Sequence, residues 1–235
     1  MAAIETIEGA FGFLVFGGVV LGFVGLVIVV TVLTRRAERQ RREGFQQLAG
    51  QLGMEHMDGA SERMPFDSER LHLFRQGHSR HVGNCLRDTR GRDTTLLLDY
   101  QYVIGHGKNR HTHRQTVAAF SLGARPVLPR FELRPENVFH KVGAAFGYQD
   151  IDFALYPGFS KHYLVRGADE QAIRDAFDES IITAVENTPG ISIESDGEWL
   201  VIYRDGKRVN VSRIAEFLEE ARMLQTAFTR RARRR

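Results

Sequence analysis

The chain of 235 residues has a single cysteine, Cys85. No intramolecular disulfide can form, which fits a reducing compartment. No lysine or arginine precedes Arg35, and no charged side chain falls between Gly9 and Thr34. There is no internal repeat, and low complexity is confined to the arginine-rich C-terminal tail.

Catalytic signatures are also lacking. A phosphate loop needs two glycines five apart, then Lys and Ser/Thr leading into a helix. Here Gly105-x-Gly107-Lys108 is followed by Asn109 and by a strand pattern. Cys85 has His81 nearby but no orienting group that would activate a nucleophile. Asp150 and Asp152 sit two apart on an expected strand, without the cleft that acid–base work requires, and read as a solvated strand face. The expectation is a protein that is not an enzyme and has no cofactor.

What is present begins with the uncharged run Gly9–Thr34. At about 26 residues it is long enough to cross a hydrocarbon core of about 30 Å as a helix. A cleaved signal peptide would have a basic start, a shorter apolar stretch and a small-residue cleavage site. This start is acidic (Glu5, Glu8), and arginines follow the run at once. Arg35, Arg36, Arg39, Arg41 and Arg42 then place the C-terminal side in the cytoplasm by the positive-inside rule, with residues 1–8 outside. The expected location is a bacterial inner (cytoplasmic) membrane, crossed once.

The net charge is +3. The arginines after the span and those of the tail (Arg230, Arg231, Arg233, Arg234, Arg235) exceed it, so the body between is acidic. A nucleic-acid role would want a basic stripe on the folded body. Basic ends beside a span suit anionic lipid headgroups instead. Within the span, Gly18 and Gly22 form a small-xxx-small pair that Gly25 extends. Such a face lets another membrane helix approach closely, so other integral membrane proteins are the expected partners.

Periodicity predicts an α+β cytoplasmic domain over 61–229, divisible near residue 160. Residues 35–60 form a basic juxtamembrane segment, in which Phe45, Leu48, Ala49 and Leu52 recur at helical spacing between Gly44 and Gly53. This short helix either packs on the domain or lies on the lipid surface. Leu71–Phe74 and His81–Leu86 read as strands. Thr94–Ile104 and Thr112–Leu122 read as a long antiparallel hairpin with one wet face. Leu96, Leu98, Tyr100, Tyr102 and Ile104 share the buried parity with Thr116, Ala118, Phe120 and Leu122, and Asp99 and Gln101 face water.

Phe131–Arg134 is a further strand candidate and Glu136–Phe146 a short helix. Asp150–Ala154 and Tyr163–Arg166 are strands around a Pro157-Gly158 turn. Asp169 caps a helix carrying Ile173, Phe177, Ile181, Ala184 and Val185 on one stripe, ended by Pro189-Gly190. Ile191–Glu194, Trp199–Tyr203 and Arg208–Asn210 form a meander through Asp-Gly turns. A last helix runs over Val211–Thr229.

The hairpin tip carries His106, His111 and His113. Two histidines at i and i+2 of a strand share a face and could hold a metal with the third across the turn. Lys108, Arg110 and Arg114 crowd the same tip and oppose a dication, and no carboxylate or cysteine is near in sequence to complete a shell.

Asp99-Tyr100-x-Tyr102, Gly107-Lys108 and His113-Arg114-Gln115-Thr116-Val117 together resemble a family of uncharacterised bacterial single-span membrane-anchored proteins. Phe131-x-Leu133-x-Pro135-Glu136, Asp150-Ile151-x-Phe153 and Phe159-Ser160-x-x-Tyr163 extend the likeness over Met64–Phe228. It implies only a membrane-tethered domain and carries over no activity, substrate or catalytic residue. The leading expectation is a non-catalytic accessory or structural subunit of a larger membrane complex, with an energy-transducing (respiratory or photosynthetic) assembly as one host. The alternative is a membrane-anchored metal- or ligand-binding sensor or enzyme working through the His106–His113 tip.

Overall fold

The structure, a computed structural model, describes residues 2–58, 64–91, 93–123, 128–136 and 150–232. It divides into two units, 1–44 and 45–235. The first holds most of helix α1 (Ala2–Leu52), whose described apolar side chains from Val20 to Leu33 are exposed. By length and composition α1 is long and apolar enough to cross a membrane, judged over Val20–Leu52.

Gly44 does not interrupt the helix: α1 runs without a break to Leu52. Phe45, Leu48 and Ala49 are buried among the core side chains of the second unit. The end of the helix from Phe45 onward therefore belongs to the folded unit, and its apolar stripe is part of that unit's core. Gly53, at φ +64°, turns the chain out of the helix in the left-handed conformation favoured by glycine. The Arg90 guanidinium donates to the Leu52 carbonyl at 3.1 Å and closes the end.

The second unit is one antiparallel sheet of eight strands. They are β1 (Glu55–Asp58), β2 (His78–Asp88), β3 (Thr95–Ile104), β4 (His111–Ser121), β5 (Phe131–Pro135), β6 (Tyr163–Arg166), β7 (Ser192–Ser195) and β8 (Trp199–Tyr203). Their order is β1-β2-β3-β4-β8-β7-β5-β6. The β7–β8 hairpin is inserted between β4 and β5, so the two β regions join in one sheet that runs across the expected division near residue 160.

Both faces of the sheet are covered, which corrects the expectation of one wet face. In the β3–β4 register Leu97 opposes Ala118 and Thr95 opposes Phe120, and Leu97, Ala118, Phe120 and Leu122 enter the larger core cluster. Leu96 opposes Ala119 and Leu98 opposes Val117, and these enter a second cluster with Tyr100, Tyr102, Phe66, Leu71, Leu73 and Phe74. The two sets expected to share a face thus lie on opposite faces. Asp99, expected in water, is 4% exposed. Its carboxylate accepts from Arg208 at 3.1 Å, from Thr116 at 3.1 Å and from Asn84 at 3.1 Å.

Residues 64–77 cover the second face, with Leu71–Phe74 not a strand but the lead into a short helix α2 (His72–Arg75). Gly77, at φ +56°, brings the chain against the Val103 carbonyl where a Cβ would clash. The first face carries α3 (Pro157–His162), α4 (Glu170–Ala176), α5 (Glu179–Glu186) and α6 (Ile214–Ala232).

One helix expected after Asp169 is two. Asp169 caps α4 through the Ala172 N–H, and Asp178 caps α5 through the Ile181 N–H, so the second aspartate restarts the helix. Of their stripe, Ile173, Phe177, Ile181 and Val185 are buried as expected, and Ala184 is half-buried against the same core. The last helix begins with a 3-10 turn at Val211–Arg213, and its face Ile214, Phe217, Leu218, Ala221, Leu224 and Phe228 is buried.

Arg208–Asn210 is not a third meander strand. The chain there follows β4 by two bonds at Thr116, whose N–H donates to the Lys207 carbonyl and whose hydroxyl accepts from the Val209 N–H. Asp150–Ala154 is likewise outside the ladder, with the Ile151 N–H donating to the Val165 carbonyl. Beyond Glu136, the helix expected over Glu136–Phe146 lies outside the described residues.

Candidate functional site

The residues singled out from the sequence occupy three places. On α1, a Cβ built at Gly18, Gly22 or Gly25 meets nothing within 4 Å. Arg35, Arg36, Arg39 and Arg42 are exposed along the same helix, as is Arg230 near the end of α6. The side chain of Arg231 and all of Arg233, Arg234 and Arg235 lie outside the described residues.

The histidine tip is laid out by the β3–β4 register, which sets His111 opposite Ile104 and His113 opposite Tyr102. His113 stacks on the Tyr102 ring at 4.9 Å, and His106 stacks on His78 at 4.8 Å. The His106 and His113 rings are thus engaged with separate neighbours. Among the described residues no three His, Cys, Asp or Glu side chains gather as a metal site.

A denser constellation lies where no motif pointed, on the α2 face of the sheet. Glu132 of β5 directly opposes Glu194 of β7 and Arg166 of β6. Two carboxylates at opposed positions of neighbouring strands repel. Arg134, two residues along β5 on the same face, separates them: its Nε pairs with Glu132, and its Nη2 donates to Glu194 Oε1 at 3.3 Å and to the Tyr203 hydroxyl at 3.0 Å. The Tyr203 hydroxyl in turn donates to Glu194 at 2.6 Å. Glu194 also accepts the Leu73 N–H, with both oxygens at 3.1 Å, which ties α2 to the sheet.

Arg134 is 3% exposed and Glu194 2%. Burial works against the Arg134 charge, but Tyr203, Glu132 and Glu194 hold its pKa above the ordinary arginine value. Burial pushes Glu132 up to about 7, with Glu194 adding to the rise and the Arg134 and Arg166 guanidinium groups opposing it. His72 is held down to about 3 by burial and by the cations Arg134, Arg75 and Arg166. At neutral pH it is uncharged, so its 3.8 Å approach to Glu132 is not an ion pair.

A cavity of about 230 Å³ opens beside this cluster. Arg70, Arg75, Arg130 and Arg166 line it, with His72, Glu132 and Glu194. Four guanidinium groups around two carboxylates, with Arg134 paired to both behind them, suit an anion. Sequence reasoning missed these residues because α2, β5, β6 and β7 lie far apart along the chain. The available signal was the alternation Glu132-Leu133-Arg134 and Ser192-Ile193-Glu194, whose polar parity reads locally as solvent-facing.

No family model matches the chain, and no curated protein matches it. Among solved structures, the crystal structure of the mycobacterial trehalose monomycolate transport factor A, TtfA, is similar at 13% sequence identity with a TM-score of 0.58. The match covers 82% of this chain and 94% of that one. At that identity the likeness is one of fold, which in this chain is α+β with an eight-stranded antiparallel sheet and C-terminal helices.

Proposed function

We propose that the chain is a non-catalytic accessory subunit of a larger membrane protein assembly. One helix anchors it, the folded unit lies in the cytoplasm, and that unit docks on the same assembly. The observation that carries this reading is the exposed stretch Val20–Leu33, where Leu21 is 74% and Phe23 67% exposed. A helix that is apolar all round must be covered by lipid or by other helices. The open glycine positions Gly18, Gly22 and Gly25 favour a helix as one neighbour.

The arginines that follow the stretch favour the cytoplasmic side for the folded unit. The fold shared with a protein described as a transport factor favours a transport assembly as host. The test is purification of the full chain from native membranes in mild detergent. Co-migration with other integral membrane proteins is expected, reduced when Gly22 is replaced by Leu. A protein that always migrates alone would refute the reading.

A further inference from the structure

The arginine-lined cavity is the feature that the accessory-subunit reading leaves unused, and an inference from it does not depend on that reading. Its guanidinium groups come from four places: Arg70 before α2, Arg75 on α2, Arg130 before β5 and Arg166 on β6. Arg130 has no ion pair among the described residues. Arg70 meets Asp67 at 3.3 Å and Arg166 meets Asp150, both carboxylates more than a third exposed and replaceable by a stronger anion.

Below the rim, Arg134 is shared between Glu132 and Glu194, and Glu194 is further satisfied by Leu73 and Tyr203, so the two carboxylates face five guanidinium groups in all. His72 contributes a neutral ring. The lining is thus cationic, and its donors are forks suited to oxyanions.

We propose that this cavity binds a phosphate group, carried either by a small soluble ester or by a lipid headgroup. A monocarboxylate needs one guanidinium fork, whereas several forks from separate elements match a tetrahedral dianion. At about 230 Å³ the space falls below the roughly 300–1,000 Å³ of drug-sized ligand sites. It takes a phosphate with a few further atoms, and excludes a whole nucleotide or an acyl chain.

The test uses the full chain in detergent micelles, titrated calorimetrically with inorganic phosphate, glycerol phosphate, dioctanoyl phosphatidic acid and acetate. Saturable binding of at least one phosphate probe is expected, and not of acetate. Arg75→Gln with Arg130→Gln should weaken it about tenfold or more. Glu132→Gln should tighten it several-fold, because a repelling charge is removed while the arginines stay.

Saturation by phosphatidic acid alone assigns a lipid headgroup, and saturation by glycerol phosphate or inorganic phosphate a soluble source. The proposal is overturned if no phosphate probe saturates below about 10 mM, or if acetate binds equally well. It is also overturned if binding follows the tail Arg230–Arg235 and ignores the cavity substitutions.

Discussion

Replacing Arg134 by Met tests the buried charge cluster most directly. Methionine keeps the apolar stem and removes the guanidinium that separates Glu132 from Glu194. Glu194, at 2% exposure, would retain the Leu73 N–H and the Tyr203 hydroxyl as donors but lose its counter-charge. Breaking a buried ion pair from one side costs about 3–5 kcal/mol. For a folded unit of roughly 190 residues, 1 kcal/mol moves the midpoint by about 2–4 °C, so a fall of about 6–20 °C is expected.

The orphaned carboxylates can escape by taking up protons, so the deficit should be smaller at pH 5 than at pH 8. Adding Glu194→Gln should return part of the loss. The amide oxygen still accepts from Leu73 and Tyr203 without a charge to bury, and the two substitutions should be clearly non-additive. The assay is thermal unfolding of the full chain in micelles, followed by circular dichroism at both pH values. A midpoint within about 2 °C of the parent at pH 8 would refute the reasoning, as would a double variant no better than the single one.

Two further predictions follow from the same face and from the α1 contact. Glu132 has a folded-state pKa of about 7, above the usual 4.5, so its contribution to stability is present at low pH and is lost as pH rises from about 4.5 to 7. His72 is held at about 3, below 6.5, so its contribution is lost as pH falls from about 6.5 to 3. The two oppose each other where these windows overlap. Glu132→Gln should therefore remove the fall in stability between about pH 4.5 and 7 and steepen the loss below pH 6.5; a pH–midpoint curve unchanged in shape would contradict the assignment. Phe45→Ala removes a fully buried ring from the core and should cost about 3–5 kcal/mol in chemical denaturation, whereas a side chain lying on a lipid surface would leave stability unchanged.

The features legible in the sequence were those set by neighbours along the chain. The uncharged run and its arginines, the Asp169 cap, the β3–β4 hairpin and the apolar face of α6 each depend on periodicity or on a local hydrogen bond. The failures came where a distant segment intervened. Asp99 reads as wet until residues 205–209 bring Arg208 to it. Thr112–Leu122 reads as half-buried until residues 64–77 cover its other face. One miss was local: the stripe from Ile173 to Val185 reads as one helix, and the Asp178 cap that restarts it is seen in the structure.

By itself, then, the sequence determined that one helix is long and apolar enough for a membrane, that a basic segment follows it, and that an α+β unit comes next. Charge and hydropathy act over a few residues, and they are written in order along the chain. The tertiary structure alone decided that both sheet faces are buried, that β7–β8 enters between β4 and β5, and that Arg134 lies between two glutamates. Strand pairing is a choice among distant partners, settled by which arrangement buries apolar surface without stranding a charge. The arginine-lined cavity is a product of that choice, and no window of sequence contains it.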